Sequence, residues 1–264
     1  MLYRLDNYDY GYNVLTEMDG KHKEMMMDIG IYKFRKDEKI KLKEPSKEMA
    51  LLLLEGTVIM KWNGIKHKME RHSLFDDEPW CLHLPRNLEV EVEALEESEV
   101  LIQKTDNDRA FEPKLYTPED CKTEIFGEEV LGESSRRLVR TIFDYKIAPY
   151  SNMVIGEVIN LPGRWSSYPP HHHPQPEVYL YRFTKPQGFG AAFVGDEVYK
   201  VVDNSFLAIP GGYVHPQVTA PGYGMYYCWM IRHLDGNPWT DRVMDEDHSW
   251  LLDPKAEVWS GIQV

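Results

Sequence analysis

A chain of 264 residues has room for one large domain or two modest ones, each with a core of its own. Its 42% hydrophobic and 28% charged residues are ordinary for a soluble globular protein, and no stretch approaches the roughly 20 apolar residues of a membrane-spanning helix. A formal charge of −13 argues against nucleic acid and anionic membranes as partners, because both need clustered Lys and Arg, yet a locally basic pocket still admits a small anion.

The N-terminus, MLYRLDNYDYGYNVL, lacks the basic-then-apolar layout of a secretory signal, so a cytoplasmic location is expected. Met49 to Glu55 (MALLLLE) reads as a buried strand stopped by Gly56. Thr57 to Trp62 follows, and Asn63-Gly64 is a hairpin signal because both residues tolerate the positive φ of a tight turn. Pro85 and Asn87 mark a turn after Leu82-His83-Leu84. Glu89 to Glu93 then alternates strictly, with Val90 and Val92 on one face and Glu99 to Lys104 as the expected partner strand. His67, His72 and His83 stand alone with no carboxylate at ligand spacing and read as surface or structural residues. Cys81, Cys121 and Cys228 are odd in number and widely spaced, which suits buried or idle thiols.

Asp106 to Arg140 is charged, carries Pro113 and Pro118, and contains the helix-start-like Thr117-Pro118-Glu119-Asp120. It reads as a connector, which divides the chain into residues 1–115 and 116–264. The second half repeats the strand grammar at Met153–Asn160, Glu177–Phe183, Gly190–Val194, Glu197–Val202, Ser205–Ile209 and Gly224–Ile231, with Asp203-Asn204 as a tight turn. Short, regularly spaced strands without amphipathic helices predict an all-β sandwich or barrel, and two successive copies account for the whole length.

The chemistry is concentrated in Pro169-Pro170-His171-His172-His173-Pro174-Gln175-Pro176-Glu177. Side chains alternate along an extended chain, and the prolines after His173 disfavour helix, so His171 and His173 share one side while His172 points away; Glu177, beyond two prolines, joins them more by motif than by strand geometry. Pro210-Gly211-Gly212-Tyr213-Val214-His215 brings a third imidazole from a later turn. Such a mixed N/O set suits one divalent metal (Zn, Mn, Fe, Ni or Co) with one or two coordination positions left open. The two elements together resemble the cupin signature, H-x-H-x(3,4)-E followed by P-x-G-x-x-H, which implies two tandem cupin barrels (a bicupin). The metal is then in the C-terminal lobe, and the N-terminal lobe carries no metal motif. Two departures remove no ligand: Gly163 lies eight residues before the first His rather than six, and Thr219 stands where Asn is frequent.

Trp165-Ser166-Ser167-Tyr168-Pro169-Pro170-His171, Tyr181-Arg182-Phe183, Pro186-Gln187-Gly188-Phe189-Gly190 and Ala220-Pro221-Gly222-Tyr223 resemble the 5-deoxyglucuronate isomerases of myo-inositol catabolism. Leu51-Leu52-Leu53-Leu54-Glu55-Gly56 and Tyr116-Thr117-Pro118-Glu119-Asp120 extend the resemblance over nearly the full length. Many members carry a longer acidic insert before the liganding Glu, which here is shortened to Pro174-Gln175-Pro176. The resemblance implies an aldose–ketose isomerase that interconverts 5-deoxy-D-glucuronate and 5-dehydro-2-deoxy-D-gluconate, a small sugar-acid substrate and, by analogy with cupins, a homo-oligomer. Glu157, Tyr181 and Lys185 are the candidate proton-transfer residues. For the substrate carboxylate the candidates are Arg182, which alternation places on the face opposite Glu177, and Lys185, Arg164 or Arg232. Gln217 and Tyr227 are candidates for hydroxyl contacts, with Trp165, Tyr179 and Trp229 as pocket walls. An isomerase of a related uronate such as 5-keto-4-deoxyuronate, a cupin dioxygenase using the same four ligands, and a non-catalytic sugar-binding bicupin are the rival readings. The absence of a basic helix-turn-helix segment disfavours the last as a DNA-bound regulator.

Overall fold

The structure, a computed structural model, describes residues 1–5, 8–253 and 255–259. Helix among the described residues is confined to three 3-10 segments, Lys23–Met25, Leu131–Glu133 and Glu246–Leu252, and strands make the rest of the regular structure. No helix is long and apolar enough to cross a membrane.

In the N-terminal half the 16-residue strand Lys47–Trp62 organises everything else. Its first part pairs with Cys81–Leu84 and Ser98–Asp106, and its second part with Ile65–Arg71 and Val90–Ala94. One strand therefore serves both layers of a sandwich. Gly56 does not stop it, contrary to the sequence expectation: the residue takes φ +101°, beside a register shift between Leu53 and Glu55. A side chain there would collide with Ser98 and the Glu97 carbonyl, so glycine turns the strand from one layer to the other without ending it. The Asn63-Gly64 hairpin forms as expected, both residues at positive φ between the paired Trp62 and Ile65.

Two other expectations fail for local reasons. Val90–Ala94 pairs with Lys39–Leu42 and with Val58–Lys61, while Ser98–Asp106 pairs with Asp28–Phe34. The three residues between them, Leu95 to Glu97, carry the chain across to the other layer instead of closing a hairpin, and Leu95 N–H bonds the Thr57 carbonyl on the way. Thr117 to Asp120 makes only a capped turn, in which the Asp120 carboxylate accepts from the Thr117 N–H and hydroxyl. The chain then runs directly into strand Glu124–Phe126.

The C-terminal half stacks a seven-stranded sheet against a four-stranded one. The larger has the order Leu2–Arg4, Ser205–Ile209, Glu177–Phe183, Met225–Arg232, Met153–Asn160, Arg137–Phe143, Glu124–Phe126. The smaller consists of Trp165–Ser166, Gln217–Thr219, Phe189–Val194 and Glu197–Val202. The first strand of the chain thus lies in the C-terminal sheet, paired with Ser205–Ile209, although the sequence grouped it with the N-terminal half.

Strand alternation sorts the side chains of the large sheet. Tyr179, Tyr181, Phe183, Tyr227 and Trp229 face inward between the two C-terminal sheets. Val178, Leu180, Tyr226, Cys228 and Ile155 face the other way, into a core shared with Leu52, Leu54 and Leu101 of the N-terminal half. All three thiols are buried and unbridged in this shared core, where burial pushes the Cys121 thiol up to about 12.

The shared face also holds charge. Arg71 from the N-terminal half donates to both Glu157 oxygens at 2.7 and 2.9 Å, with the Tyr226 hydroxyl at 2.9 Å and Arg140 at 3.4 Å. Neither Arg71 nor Glu157 is exposed to solvent. Replacing Arg71 by Ala removes the two shortest charged bonds of a buried carboxylate and leaves it only Tyr226 and the longer contact to Arg140, so denaturant unfolding is expected to show a loss of about 3 kcal/mol. A loss near that of a surface pair would contradict this placement.

Candidate metal centre

The ligand-bearing segment owes its shape to proline and glycine. His171 lies on the two-residue strand His171–His172, paired with Val243–Met244, and Glu177 opens strand Glu177–Phe183 between Ile209 and Ile231. Gly211 packs so closely on this loop that a Cβ would overlap the Pro174 carbonyl. Gly212, at φ +90°, donates its N–H to the His173 carbonyl at 2.7 Å. The Gly-Gly turn is therefore docked onto the Pro-rich loop, which carries His215 to the side of His173.

Three backbone carbonyls then settle the tautomers. Nδ1 of His171, His173 and His215 bonds the carbonyls of Pro169 (2.9 Å), Gln175 (3.0 Å) and Tyr213 (2.8 Å). A carbonyl only accepts, so each Nδ1 bears the proton and each Nε2 is left with a bare lone pair. Glu177 Oε2 is 3.3 Å from Nε2 of both His173 and His215, yet it is buried without a hydrogen-bond partner. The ligating atoms of His173, Glu177 and His215 all fall within 4.8 Å of one another. His171 stands outside that tight trio but borders the same cavity, its ring centroid 5.3 Å from that of His215. Burial pushes the His171 imidazole down to about 3 and His215 below its ordinary value, which favours the neutral, ligating form. A buried group of acceptors with no donor among them fits a cation, and the mixed N/O set fits a divalent transition metal.

These residues border a cavity of about 200 Å³ on the inward face of the seven-stranded sheet. Of the other sequence candidates, Tyr227, Tyr179 and Trp229 border it. Glu157 does not: it lies on the opposite face of its strand, where it pairs with Arg71. Tyr181 is one step behind Tyr179 and donates to Gln217 Oε1 at 2.7 Å, while Gln217 Nε2 holds the His215 carbonyl, also at 2.7 Å. Both act behind the cavity wall. Lys185 is exposed in the loop after Phe183. Arg182 reaches Glu99 at 3.1 Å, and Arg232 reaches Thr105 at 2.8 Å, both across the shared face toward the N-terminal half. Trp165 packs on Tyr168 and Phe193 instead of walling the cavity. Arg164 is not among the residues bordering the cavity.

Sequence reasoning missed Arg137, Trp239 and Arg242, all three at the cavity. Arg137, Val139 and Thr141 alternate into it from strand Arg137–Phe143, a period visible in RRLVRTIF but hidden when the stretch is taken as connector. Trp239 and Arg242 arrive on the segment that follows the last long strand and returns to pair with His171–His172, and nothing local in the sequence announces that return.

A β-sandwich that brings two histidines and a glutamate of one proline-rich segment beside a third histidine from a neighbouring turn defines a cupin. A cupin 2 conserved barrel domain protein from Leptotrichia buccalis superposes with a TM-score of 0.52 at 12% identity, over 85% of this chain and 89% of its own. The chain belongs to the KduI/IolB family, whose pattern matches residues 2–251. An IolB-like protein from Salmonella typhimurium LT2 shares the fold more closely, with a TM-score of 0.86 at 22% identity over 96% of this chain and 99% of its own. A relative from Geobacillus kaustophilus HTA426, named 5-deoxy-glucuronate isomerase, is 27% identical over 247 residues, covering 85% of each chain.

Just beyond the ligands, His233 Nδ1 accepts the Trp239 backbone N–H at 2.9 Å, and the Trp239 ring stands 6.2 Å from His173. Burial lowers the His233 pKa to about 4. Between its unfolded value near 6.5 and 4, the unfolded chain binds a proton that the folded chain does not, so stability falls as pH is lowered through this window. Protonation also removes the acceptor that holds Trp239. Urea midpoints measured from pH 7 to 4 should decline, and the His233→Gln variant should decline less steeply. Parallel curves would contradict a buried neutral His233.

Proposed function

We propose that this protein is a cytoplasmic, metal-dependent aldose–ketose isomerase that converts 5-deoxy-D-glucuronate to 5-dehydro-2-deoxy-D-gluconate in inositol breakdown. Family membership over residues 2–251 and the name of the relative that matches 85% of both chains support the substrate. The observation that carries the reading is the buried Glu177 oxygen facing two imidazole lone pairs, with no donor to satisfy it.

Isomerisation moves a proton between neighbouring carbons while negative charge gathers on the substrate oxygens. A divalent cation held by His171, His173, Glu177 and His215 would supply Lewis acidity for that charge. The chain's own residues shape the rest. The Nδ1–carbonyl bonds fix the imidazole planes, and Gln217 fixes the backbone of His215. Burial holds the Tyr179 hydroxyl well above its ordinary pKa and Tyr227 at about 12, so both stay protonated; Tyr227 donates its proton to Ser166 Oγ at 2.8 Å, which leaves its oxygen to accept from a sugar hydroxyl. Their rings stack at 4.5 Å, and Trp229 and Trp239 stand 5.7 Å apart, giving an aromatic wall that excludes water. In this reading the two sandwiches are tandem cupin lobes. The N-terminal one is filled by Phe34, Met49, Leu51, Val58 and Met60, and serves packing and assembly into a homo-oligomer.

Chelator-stripped protein should leave 5-deoxy-D-glucuronate unchanged by NMR, and adding back a divalent cation should restore conversion. His215→Ala should stay folded but lose metal on elemental analysis, with a fall in activity beyond the roughly 10–100-fold typical of outer-shell changes. Metal-replete wild-type protein that leaves the sugar acid untouched would refute the proposed activity.

A further inference from the structure

Two arginines border the cavity without a carboxylate partner among the described residues. Of the other buried arginines, Arg71 and Arg140 share Glu157 and Arg182 has Glu99, all within 3.4 Å, while Arg232 has no carboxylate but donates to the Thr105 hydroxyl and the His233 carbonyl. Arg137 is only 8% exposed, yet among the described residues no carboxylate lies within ion-pair distance of it. Its one side-chain hydrogen bond runs from Nη1 to the Ser135 carbonyl at 2.8 Å, and its guanidinium stands 5.7 Å from the Phe126 ring centroid. A guanidinium has five N–H donors, so most of this fork is uncommitted. Arg242 borders the same cavity on the returning C-terminal segment and has no carboxylate partner among the described residues either. Burial lowers the Arg137 pKa, and the nearby Arg242 charge lowers it further.

A desolvated guanidinium with a second cation beside it is a costly arrangement unless an anion sits between them. We propose that Arg137 and Arg242 form the anchor for the carboxylate of the sugar acid, with Arg137 as the buried fork and Arg242 as the solvent-side arm. The inference rests on the sugar-acid reading above, and it gives that substrate one orientation. The carboxylate end lies toward strand Arg137–Phe143, and the carbonyl end lies toward Glu177 and the imidazoles. It also replaces Arg182 and Arg232, which face the other half of the chain. The planar fork matches a carboxylate in a way a lysine would not.

The test uses two probes of the same size, D-glucuronate and neutral D-glucuronamide, titrated calorimetrically into metal-loaded protein. Wild type should bind the acid at least about tenfold more tightly than the amide, as a charge-assisted pair implies. Arg137→Gln and Arg242→Gln should each lose most of that preference while keeping their affinity for the amide. Arg137→Lys should recover part of it. In turnover, both Gln variants should raise KM for 5-deoxy-D-glucuronate about 10–100-fold with a smaller change in kcat. Arg242 is exposed, so its variant decides the matter even if Arg137→Gln fails to fold. Wild type that binds both probes equally, or neither, overturns the anchor, as does an undiminished preference in the Gln variants. If wild type prefers the acid but does not isomerise 5-deoxy-D-glucuronate, the anchor stands and the proposed activity falls. If wild type isomerises the sugar acid and the variants keep the full preference, the activity stands and the anchor falls.

Discussion

Imidazole lone pairs and a carboxylate that face one another in a buried space repel unless something positive lies between them. That constraint shapes the C-terminal half of this protein. Each of the three imidazoles is turned by a backbone carbonyl on its Nδ1, which leaves every Nε2 without a proton. The carbonyls themselves are held by the Pro-rich loop and by the Gly211-Gly212 turn docked upon it. Removing the close fit at Gly211 would move His215, the imidazole that arrives from a distant part of the chain. Gln217 and Tyr181, outside the cavity, brace the same turn from behind.

The large C-terminal sheet works because its two faces carry different jobs. The inward face carries Glu177, Tyr179, Tyr227 and Trp229 at the cavity. The outward face buries aliphatic side chains, the thiols and the Arg71–Glu157 pair against the N-terminal half. Such a sheet is buried on both sides, which is why strands such as MVIGEVIN and MYYCWMIR have almost no exposed position. Gly156 contributes to the division: with no side chain on the cavity face, it lets the Trp229 ring lie against the neighbouring strand.

This two-faced burial also explains what could be read in advance. Strand positions in the C-terminal half followed from turn residues, and four of them, Met153–Asn160, Glu177–Phe183, Glu197–Val202 and Ser205–Ile209, have the expected bounds. The approach of Glu177 to His173 followed from the H-x-H-x(3,4)-E motif more than from strand geometry, and that of His215 from the Pro-Gly element. Facing was harder, because in a doubly buried strand hydrophobicity does not alternate. Arg182 could be assigned to the far face by counting from Glu177. Glu157 could not, since its strand has no ligand to count from, and it proved to be a structural partner of Arg71. Pairing across layers was illegible as well: the strand through Gly56 serves both sheets, and EVEVE finds its partners far from its sequence neighbour. Arg137 and Arg242 went unseen because one sits in a charged stretch that resembles a linker and the other on a return segment without local pattern.

The most direct measurement is anomalous diffraction at the metal edge from crystals of the protein saturated with a single divalent cation, zinc or cobalt. One ion is expected between Nε2 of His173 and His215 and the Glu177 carboxylate, at about 2.0–2.2 Å from each, with Nε2 of His171 drawn toward it. An ion bound elsewhere, or no peak at this position in saturated crystals, would contradict the metal centre and the isomerase chemistry built on it.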